Sequence, residues 1–395
     1  MISNIKNFVK DLVMKRPILS VIIALLFCTG IFFIFKETVF SNKTTSTLIK
    51  DSTDMTQDSI ENTPEPIQEQ TKDLTPEELH YDAILVDTHN DFVYQVSQRG
   101  AKFGRNNPGT HSDLPKFREG GLDVQVFSAW IPMSKLRRSY DFVLGQIDIL
   151  KGFERDFPED IEYAQTHDDI IRIVNEGKIC GMIGVEGGTV VESDLDNINR
   201  LFEMGVRYIG LTWNNSNLIA SSARDETERG IQGGLTDFGF DVINRMDEVG
   251  MLIDVSHLGE ASFWDVIKTT KNPIIASHSN SYTVHPHYRN LTDEQIKAIA
   301  KGGGVVQVNF HRSFLGESSL QRVFEHIDYI KNLVGVDYVG IGSDFDGGID
   351  TPSELADVTM YPNLTKKLLS EGYTQEEVRK ILGLNFLRVF KKVCG

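Results

Sequence analysis

Residues 83–91 read AILVDTHND, an apolar run that ends in a cluster of polar side chains. An unbroken apolar run indicates a strand buried on both faces. Side chains two positions apart in a strand point the same way, so His89 and Asp91 could face one point, as two ligands of one metal ion must. Polar residues also end strands as turn formers, and this stretch taken alone favours that second interpretation. Asp87 and Asn90 are candidates for such a turn, or for orienting His89 through its other ring nitrogen.

Seven further strand-like runs follow along the chain, separated largely by helix-like segments. With the first run, the predicted strands are residues 84–87, 124–129, 181–185, 208–212, 251–255, 274–277, 305–309 and 338–342. Helical spacing of apolar residues predicts helices over 195–204, 236–249, 292–300, 320–334 and 374–390. Thr292 and Gln295 have the spacing of a capping box. This alternation predicts an α/β fold, a (β/α)8 TIM-like barrel, with an open doubly wound sheet as the structural alternative.

Side chains that can bind metal stand at the predicted carboxyl ends of the strands, where barrel enzymes place their chemistry. They are His89 and Asp91 after the first run, Glu186 after the third, His257 after the fifth, His278 after the sixth and Asp344 after the eighth. One histidine in such a place is usually a hydrogen-bonded turn residue, but six ionisable groups in one layer need a compensating charge.

Imidazole and carboxylate groups suit Zn²⁺, with Mn²⁺ or Fe²⁺ as alternatives. A single catalytic zinc needs only three protein ligands, and the first five of these residues exceed that number. We therefore expect two ions that share one carboxylate, and Glu186 is the natural bridge because its strand lies between the two groups of ligands.

Composition and the absence of other motifs exclude several classes of function. The chain has 395 residues, and 40 Lys and Arg against 56 Asp and Glu give a net charge of -16, which argues against nucleic acid as a partner. Cys28, Cys180 and Cys394 form no CxxC pair, so a disulfide framework is not expected. No GxSxG, HExxH or GxxxxGK[ST] sequence is present.

The N-terminal part of the chain predicts a membrane anchor. Residues 17–35 carry no charge, approach the roughly 20 residues that a spanning helix needs, and follow four basic residues. Positive charge stays cytoplasmic, so we expect a single-pass protein of the cell membrane with its catalytic domain on the extracytoplasmic side. A cleaved signal peptide is the alternative, although no small-residue cleavage site follows. The predicted organisation is a cytoplasmic basic segment (1–16), a transmembrane anchor (17–36), a disordered polar tether (37–77) and a barrel catalytic domain (78–395).

Six short motifs, in order, resemble the renal (membrane) dipeptidase family of zinc peptidases, peptidase family M19. They are HND at 89–91, EGG at 186–188, LIDVSH at 252–257, SHSN at 277–280, RNLTDEQ at 289–295 and GSDFDG at 342–347. The similarity covers roughly residues 80–393. It implies a barrel with two zinc ions, a dipeptide substrate and a homodimer.

The resemblance also assigns roles to individual residues. His89 and Asp91 would hold one zinc ion, His257 and His278 the other, and Glu186 would bridge them, with a hydroxide between the ions as nucleophile. Asp344 resembles the aspartate that handles the proton. Arg289 resembles the arginine that binds the terminal carboxylate of the substrate, a role that suits a bidentate guanidinium.

One position departs from the family pattern. Where many members carry a histidine after the fourth strand, this chain has Trp213 within LTWNN. The indole could donate one hydrogen bond in place of the histidine, the zinc could polarise the carbonyl alone, or the substrate range could differ. Trp213 could equally be a wall residue of the pocket, and Asn214 is a neighbouring candidate for binding the substrate.

These observations predict a membrane-anchored dizinc dipeptidase that cleaves dipeptides through the bridging hydroxide. A related barrel amidohydrolase acting on N-acyl amino acids or cyclic amides is the enzymatic alternative. A non-catalytic cell-surface binding module on the same fold is the alternative from another class, but it predicts lost ligands, and all of them are present.

Overall fold

The computed structural model describes residues 73–395. In this part of the chain every strand pairing of the sheet is parallel. The strands are β1 (Val86–Asn90), β2 (Val124–Trp130), β3 (Ile161–Tyr163), β4 (Ile179–Glu186), β5 (Val206–Gly210), β6 (Leu252–Asp254), β7 (Ile275–Ala276), β8 (Val305–Val308) and β9 (Val339–Ile341).

The sheet closes almost completely into a barrel. Its order is β1-β2-β4-β5-β6-β7-β8-β9, and β3 pairs with the first residues of β4. The ends of this order meet where Asn90 bridges to Phe345 and the Asp91 N–H donates to the Phe345 carbonyl at 2.8 Å. The predicted (β/α)8 TIM-like barrel is thus confirmed, and all eight predicted strands lie in it.

Helices surround the barrel. They are α1 (Pro76–Asp82), α2 (Phe92–Arg99), α3 (Leu114–Glu119), α4 (Ser139–Asp156), α5 (His167–Asn175), α6 (Asp196–Glu203), α7 (Ala223–Arg229), α8 (Asp237–Val249), α9 (Glu260–Thr269), α10 (Asp293–Lys301), α11 (Arg312–Leu315), α12 (Leu320–Val334), α13 (Tyr361–Ser370), α14 (Gln375–Arg379) and α15 (Asn385–Cys394). The predicted capping box is confirmed: the Thr292 side chain accepts from the Gln295 N–H at the start of α10, and the Gln295 side chain accepts from the Thr292 N–H.

Among the differences between the structure and the predicted elements, three concern strand β1, strand β3 and the helix at the carboxyl terminus. Strand β1 extends to Asn90 instead of ending at 87, because its polar side chains find hydrogen-bond partners inside the barrel and so need not leave the sheet. Strand β3 was not predicted, since three residues are too few to show a period. A π-helical turn at Lys380–Leu384 interrupts the helix predicted over 374–390.

Strand residues alternate between two apolar layers. In β2, Val124 and Val126 belong to a cluster inside the barrel, whereas Phe127 and Ala129 belong to the layer under the helices. The inner cluster contains the first residues of several strands together with Phe386 and others from α15. Helix α15 therefore seals the amino-terminal end of the barrel, and the carboxyl-terminal end is left for the site.

The predicted cytoplasmic segment, the anchor over 17–36 and the tether as far as residue 72 lie outside the described residues. None of the helices within residues 73–395 combines the length with the apolar composition that a membrane-spanning helix requires. Helix α1 begins at Pro76, and its N-cap is Thr75.

Candidate metal centre

All six residues predicted at strand ends lie together at the carboxyl-terminal end of the barrel. His89 lies within β1, and Asp91 is the first residue after that strand. Both residues are therefore at the carboxyl-terminal end of β1. Glu186 is the last residue of β4. His257, His278 and Asp344 follow β6, β7 and β9 in the loops at the same end.

Glu186 stands between two groups of candidate ligands. Its Oε2 atom lies 3.6 Å from His89 Nε2, which is also 3.6 Å from Asp91 Oδ2. Its Oε1 atom lies 2.9 Å from His257 Nε2 and 3.8 Å from His278 Nε2. Each oxygen of one carboxylate thus serves a different group, which is the arrangement that a bridging ligand requires.

The outward nitrogen of His89 is held by Tyr208. His89 Nδ1 lies 3.0 Å from the Tyr208 hydroxyl, which itself donates to the Thr88 carbonyl at 3.3 Å. A hydroxyl that donates there can accept from the imidazole, so Nδ1 carries the proton and the Nε2 lone pair faces Glu186. The sequence did not predict this contact of Tyr208, because a tyrosine within an apolar run indicates only a residue of the core.

The rings of His278 and His257 are also held through their Nδ1 atoms, as the ring of His89 is. His278 Nδ1 lies 2.8 Å from Ser277 Oγ, which donates to Asp254 Oδ2 at 2.6 Å, so the serine accepts from the ring. His257 Nδ1 lies 3.1 Å from Asn214 Oδ1. All three histidines therefore direct Nε2 lone pairs to one place.

Asp87 and Asn90, which the sequence suggested as partners for the outward nitrogen of His89, have other contacts. The carboxylate of Asp87 accepts from the hydroxyls of Ser343 and Tyr361 at 2.6 and 2.8 Å. The Asn90 amide donates to Ser112 at 2.6 Å. The suggestion is wrong because Tyr208 reaches His89 from across the barrel, a contact that sequence proximity does not reveal.

A cation fits this set of side chains. Buried Nε2 of His89 and Oδ1 of Asp91 have no hydrogen-bond partner among the described residues. His257 Nε2 and His278 Nε2 lie 3.0 Å apart although neither nitrogen carries a proton in the inferred tautomers. Burial lowers the pKa of His257 to about 4, which favours the neutral form that binds metal. For His89 burial opposes charge, but its surroundings, first Tyr208 and then the carboxylates of Asp91 and Glu186, outweigh burial and raise the pKa, so the centre attracts a positive charge that a bound cation would supply in place of the proton.

Asp344 and His257 have unusual backbone conformations. Their φ angles are 67° and 68°, in the left-handed region that side chains disfavour. Strained backbone of this kind is concentrated at functional sites, where it aims a side chain. Burial raises the pKa of Asp344 to about 7, and Asn309 donates to its Oδ2 atom at 2.8 Å.

Arg289 faces the same pocket, a cavity of about 350 Å³. The residue is only 4% exposed, yet its guanidinium makes one hydrogen bond, from Nη2 to the His278 carbonyl at 3.3 Å, and its buried Nε has no partner among the described residues. The Phe314 ring lies 5.3 Å from the guanidinium carbon. A buried cation with unused donors fits a carboxylate ligand.

Trp213 and Asn214 both line the pocket. The Trp213 ring meets the Trp130 ring edge-on, with centroids 5.1 Å apart, and its N–H bonds to no described residue. Asn214 lies behind His257, because its side-chain oxygen accepts from that ring. The structure thus places Trp213 against the pocket and Asn214 as a partner of a candidate ligand.

A barrel that gathers buried histidines and carboxylates at the carboxyl ends of its strands has the arrangement of a metal-dependent hydrolase. The family model for membrane dipeptidase, peptidase family M19, matches residues 75–394. The chain belongs to this family, which confirms the resemblance in the motifs.

Known proteins resemble the chain over most of its length. An uncharacterized dipeptidase of Schizosaccharomyces pombe is 37% identical over 334 residues, 78% of this chain and 80% of that protein. The crystal structure of dipeptidase AC, a family M19 metallopeptidase, matches with a TM-score of 0.75 at 27% identity, covering 79% of this chain and 99% of that one. The structure of a metallopeptidase from Rhodobacter sphaeroides, liganded with a phosphinate mimic of the dipeptide L-Ala-D-Ala, matches with a TM-score of 0.74 at 26% identity. The match covers 79% of this chain and 100% of that one. The chain is therefore a dipeptidase of the M19 metallopeptidase family, and a metal ion is part of its chemistry.

Proposed function

We propose that the centre holds two zinc ions and that the chain hydrolyses dipeptides with a free terminal carboxylate. His89 and Asp91 would hold one ion, His257 and His278 the other, and Glu186 would bridge them. The observation that carries this proposal is that the two oxygens of Glu186 face different groups of ligands, at 3.6 Å from His89 Nε2 and 2.9 Å from His257 Nε2. One ion would leave part of this buried set without a partner.

Bound zinc would supply Lewis acidity and would make water a better nucleophile. The chain itself positions the substrate and moves the proton. Arg289 would pair with the terminal carboxylate and so place the peptide bond at the centre. Asp344 would take a proton from the attacking water and deliver it to the leaving amine as the carbon–nitrogen bond breaks. Its raised pKa, about 7, suits a group that must both accept and donate.

The test is to measure zinc content and dipeptide hydrolysis in the full chain and in a His257→Ala variant. We expect two zinc ions per wild-type chain, loss of at least one in the variant, and a fall in kcat/KM on the order of 10³ or more. His167→Ala is the matched control, because this histidine lies on α5 away from the centre. Full activity in a metal-free His257→Ala protein would contradict the proposal.

The substrate range needs its own comparison. The mimic of L-Ala-D-Ala bound to the Rhodobacter sphaeroides relative makes dipeptides with a D carboxyl-terminal residue reasonable first substrates, to be compared with their L counterparts. An amidohydrolase from Pseudomonas aeruginosa is also similar, with a TM-score of 0.71 at 26% identity, so N-acyl amino acids and cyclic amides belong in the panel. If Arg289 binds the carboxylate, amidating that end should lower kcat/KM by on the order of 10².

We also propose that residues 17–36 anchor the protein in a membrane with the barrel outside the cytoplasm. The support is the uncharged apolar run and the basic residues before it. Protease added to intact cells should remove the barrel, and protection from the protease would contradict this placement.

A further inference from the structure

Three aromatic residues, Tyr94, Trp130 and Trp213, form one side of the pocket, here called the aromatic wall. The Tyr94 and Trp130 rings meet edge-on with centroids 4.9 Å apart, and Trp130 meets Trp213 in the same way at 5.1 Å. All three residues are half-buried, so each shows part of its surface to the cavity. Three rings in contact form a continuous apolar surface beside a centre that is otherwise charged.

The aromatic wall borders the metal centre directly. Trp130 is the last residue of β2 and is the pairing partner of Glu186 in the neighbouring strand β4. On the other side, Glu186 pairs with Gly210 of β5, three positions before Trp213. Glu186 therefore stands between the two tryptophans, so the aromatic wall borders the groups that would surround the scissile bond.

Arg289 lies on the opposite side of the barrel mouth. It follows β7, and in the strand order β7 is four positions from β2 around a ring of eight. If Arg289 binds the terminal carboxylate, as the proposed function has it, the peptide bond lies over the centre. The amino-terminal residue of the dipeptide then extends towards the aromatic wall.

The chemistry of the wall indicates what it would bind. The indole N–H of Trp130 is buried without a partner among the described residues, so this ring presents hydrocarbon to the pocket. Arg99 is exposed at the rim of the same pocket and is the nearby group that could instead attract an acidic side chain. We propose that the aromatic wall is the subsite for the side chain of the substrate's amino-terminal residue and that it selects large apolar side chains, aromatic ones above all.

The test compares kcat/KM of the zinc-loaded full chain for Phe-Ala, Leu-Ala, Ala-Ala and Glu-Ala. We expect Phe-Ala to exceed Ala-Ala by about tenfold or more, since a filled apolar subsite gives discrimination of this size. In Trp130→Ala the ratio of kcat/KM for Phe-Ala to that for Ala-Ala should fall close to one. In Trp130→Phe the ratio should stay at the wild-type value, because the N–H of Trp130 is unused. Trp213→Ala should also lower the ratio, which covers the case in which Trp130→Ala does not fold.

Trp264→Ala is the matched control. The third tryptophan of the chain lies on α9 against Phe263, outside the pocket, so its variant should leave the ratio of Phe-Ala to Ala-Ala unchanged. Zinc content is measured for every variant, to separate a subsite effect from a damaged centre. A ratio near one in the wild type, a ratio that survives both alanine variants, or a preference for Glu-Ala would overturn the inference and leave the proposed function standing. Each dipeptide is assayed with L-Ala and with D-Ala at its carboxyl end, and hydrolysis of none of them would overturn the proposed function, and the inference with it.

Discussion

Tyr208 connects the interior of the barrel to the candidate metal centre. Its ring is buried, and its hydroxyl lies 3.0 Å from His89 Nδ1. Gly184 provides the space, because a Cβ atom there would lie 2.1 Å from the Tyr208 ring. The Tyr208 hydroxyl accepts a hydrogen bond from Nδ1 of His89 and so keeps the proton on that nitrogen. The Nε2 lone pair is then left facing the carboxylates.

Replacing Tyr208 by Phe tests this contact. The variant keeps the ring and removes the acceptor, so the Nδ1–H of His89 is left buried without a partner. We expect zinc affinity to fall about 10–100-fold, as for other lost partners of metal-bound histidines. Competition with a chromogenic chelator measures this directly.

Tyr163→Phe is the matched control for that experiment. Tyr163 is a second tyrosine whose hydroxyl is buried, but among the described residues it has no hydrogen-bond partner. Removing it should leave zinc affinity unchanged. Equal affinities in the two variants would show that the phenol of Tyr208 has no part in holding the metal.

The ligand candidates could be predicted from the sequence, whereas their partners could not. His89, Glu186 and His257 stand out because charged or imidazole groups follow apolar runs, and burial of such groups requires a partner. Tyr208, Asp254 and Asn309 stand in or beside apolar runs where nothing marks them. Their contacts come from the closure of the sheet, which brings side-chain atoms of different strands to distances of 2.6 to 3.0 Å.

At the scale of elements, the strands were easier to predict than their ends. Central strands of a parallel barrel are apolar on both faces, so their runs show in the sequence. The exact limits depend on tertiary partners: β1 continues through Thr88 and His89 because Thr88 Oγ1 donates to the Ser277 carbonyl at 2.7 Å. Strand β3 has only one fully buried residue and extends the sheet only where β4 is long enough to pair with it.

Helix α15 offers a prediction at this scale. Phe390 is fully buried in the cluster that seals the amino-terminal end of the barrel. Phe390→Ala should lower the free energy of unfolding by about 3–5 kcal/mol, through lost burial and the cavity left behind. Because the centre lies at the other end, the KM of the folded variant should stay at the wild-type value. Urea denaturation and steady-state kinetics measure the two quantities.

Lys391→Ala is the control on the same helix. Its side chain is exposed, so the free energy of unfolding should change by less than about 0.5 kcal/mol. A Phe390→Ala protein as stable as Lys391→Ala would contradict the role of α15 as the seal of the barrel.

The stability of the whole molecule should depend on pH through a half-buried carboxylate away from the centre. Asp123 precedes β2, and its Oδ2 atom accepts from the Leu85 N–H at 2.7 Å. Burial raises its pKa to about 6, above the value of about 3.9 expected in the unfolded chain. The folded state then binds this proton more tightly. The resulting stabilisation is complete below about pH 4 and is lost as the pH rises through about 6.

Asp123→Asn isolates this effect, because the amide keeps the acceptor and does not titrate. The difference in unfolding free energy between variant and wild type should grow in favour of the variant by roughly 2 kcal/mol from pH 4 to pH 7. Other titrating groups are common to both proteins and cancel in the difference. Urea unfolding at several pH values provides the measurement, and a difference independent of pH would contradict the raised pKa.

The left-handed backbone of His257 and Asp344 has a consequence for how such a protein changes over generations. Each residue holds a conformation that a side chain disfavours by roughly 1–2 kcal/mol, and glycine would relieve that strain. Selection for catalysis is the reason that the side chains of His257 and Asp344 are retained. A lineage that no longer needed to cleave peptides would gain stability by losing them, so glycine at positions 257 and 344 would be an early mark of a retired enzyme.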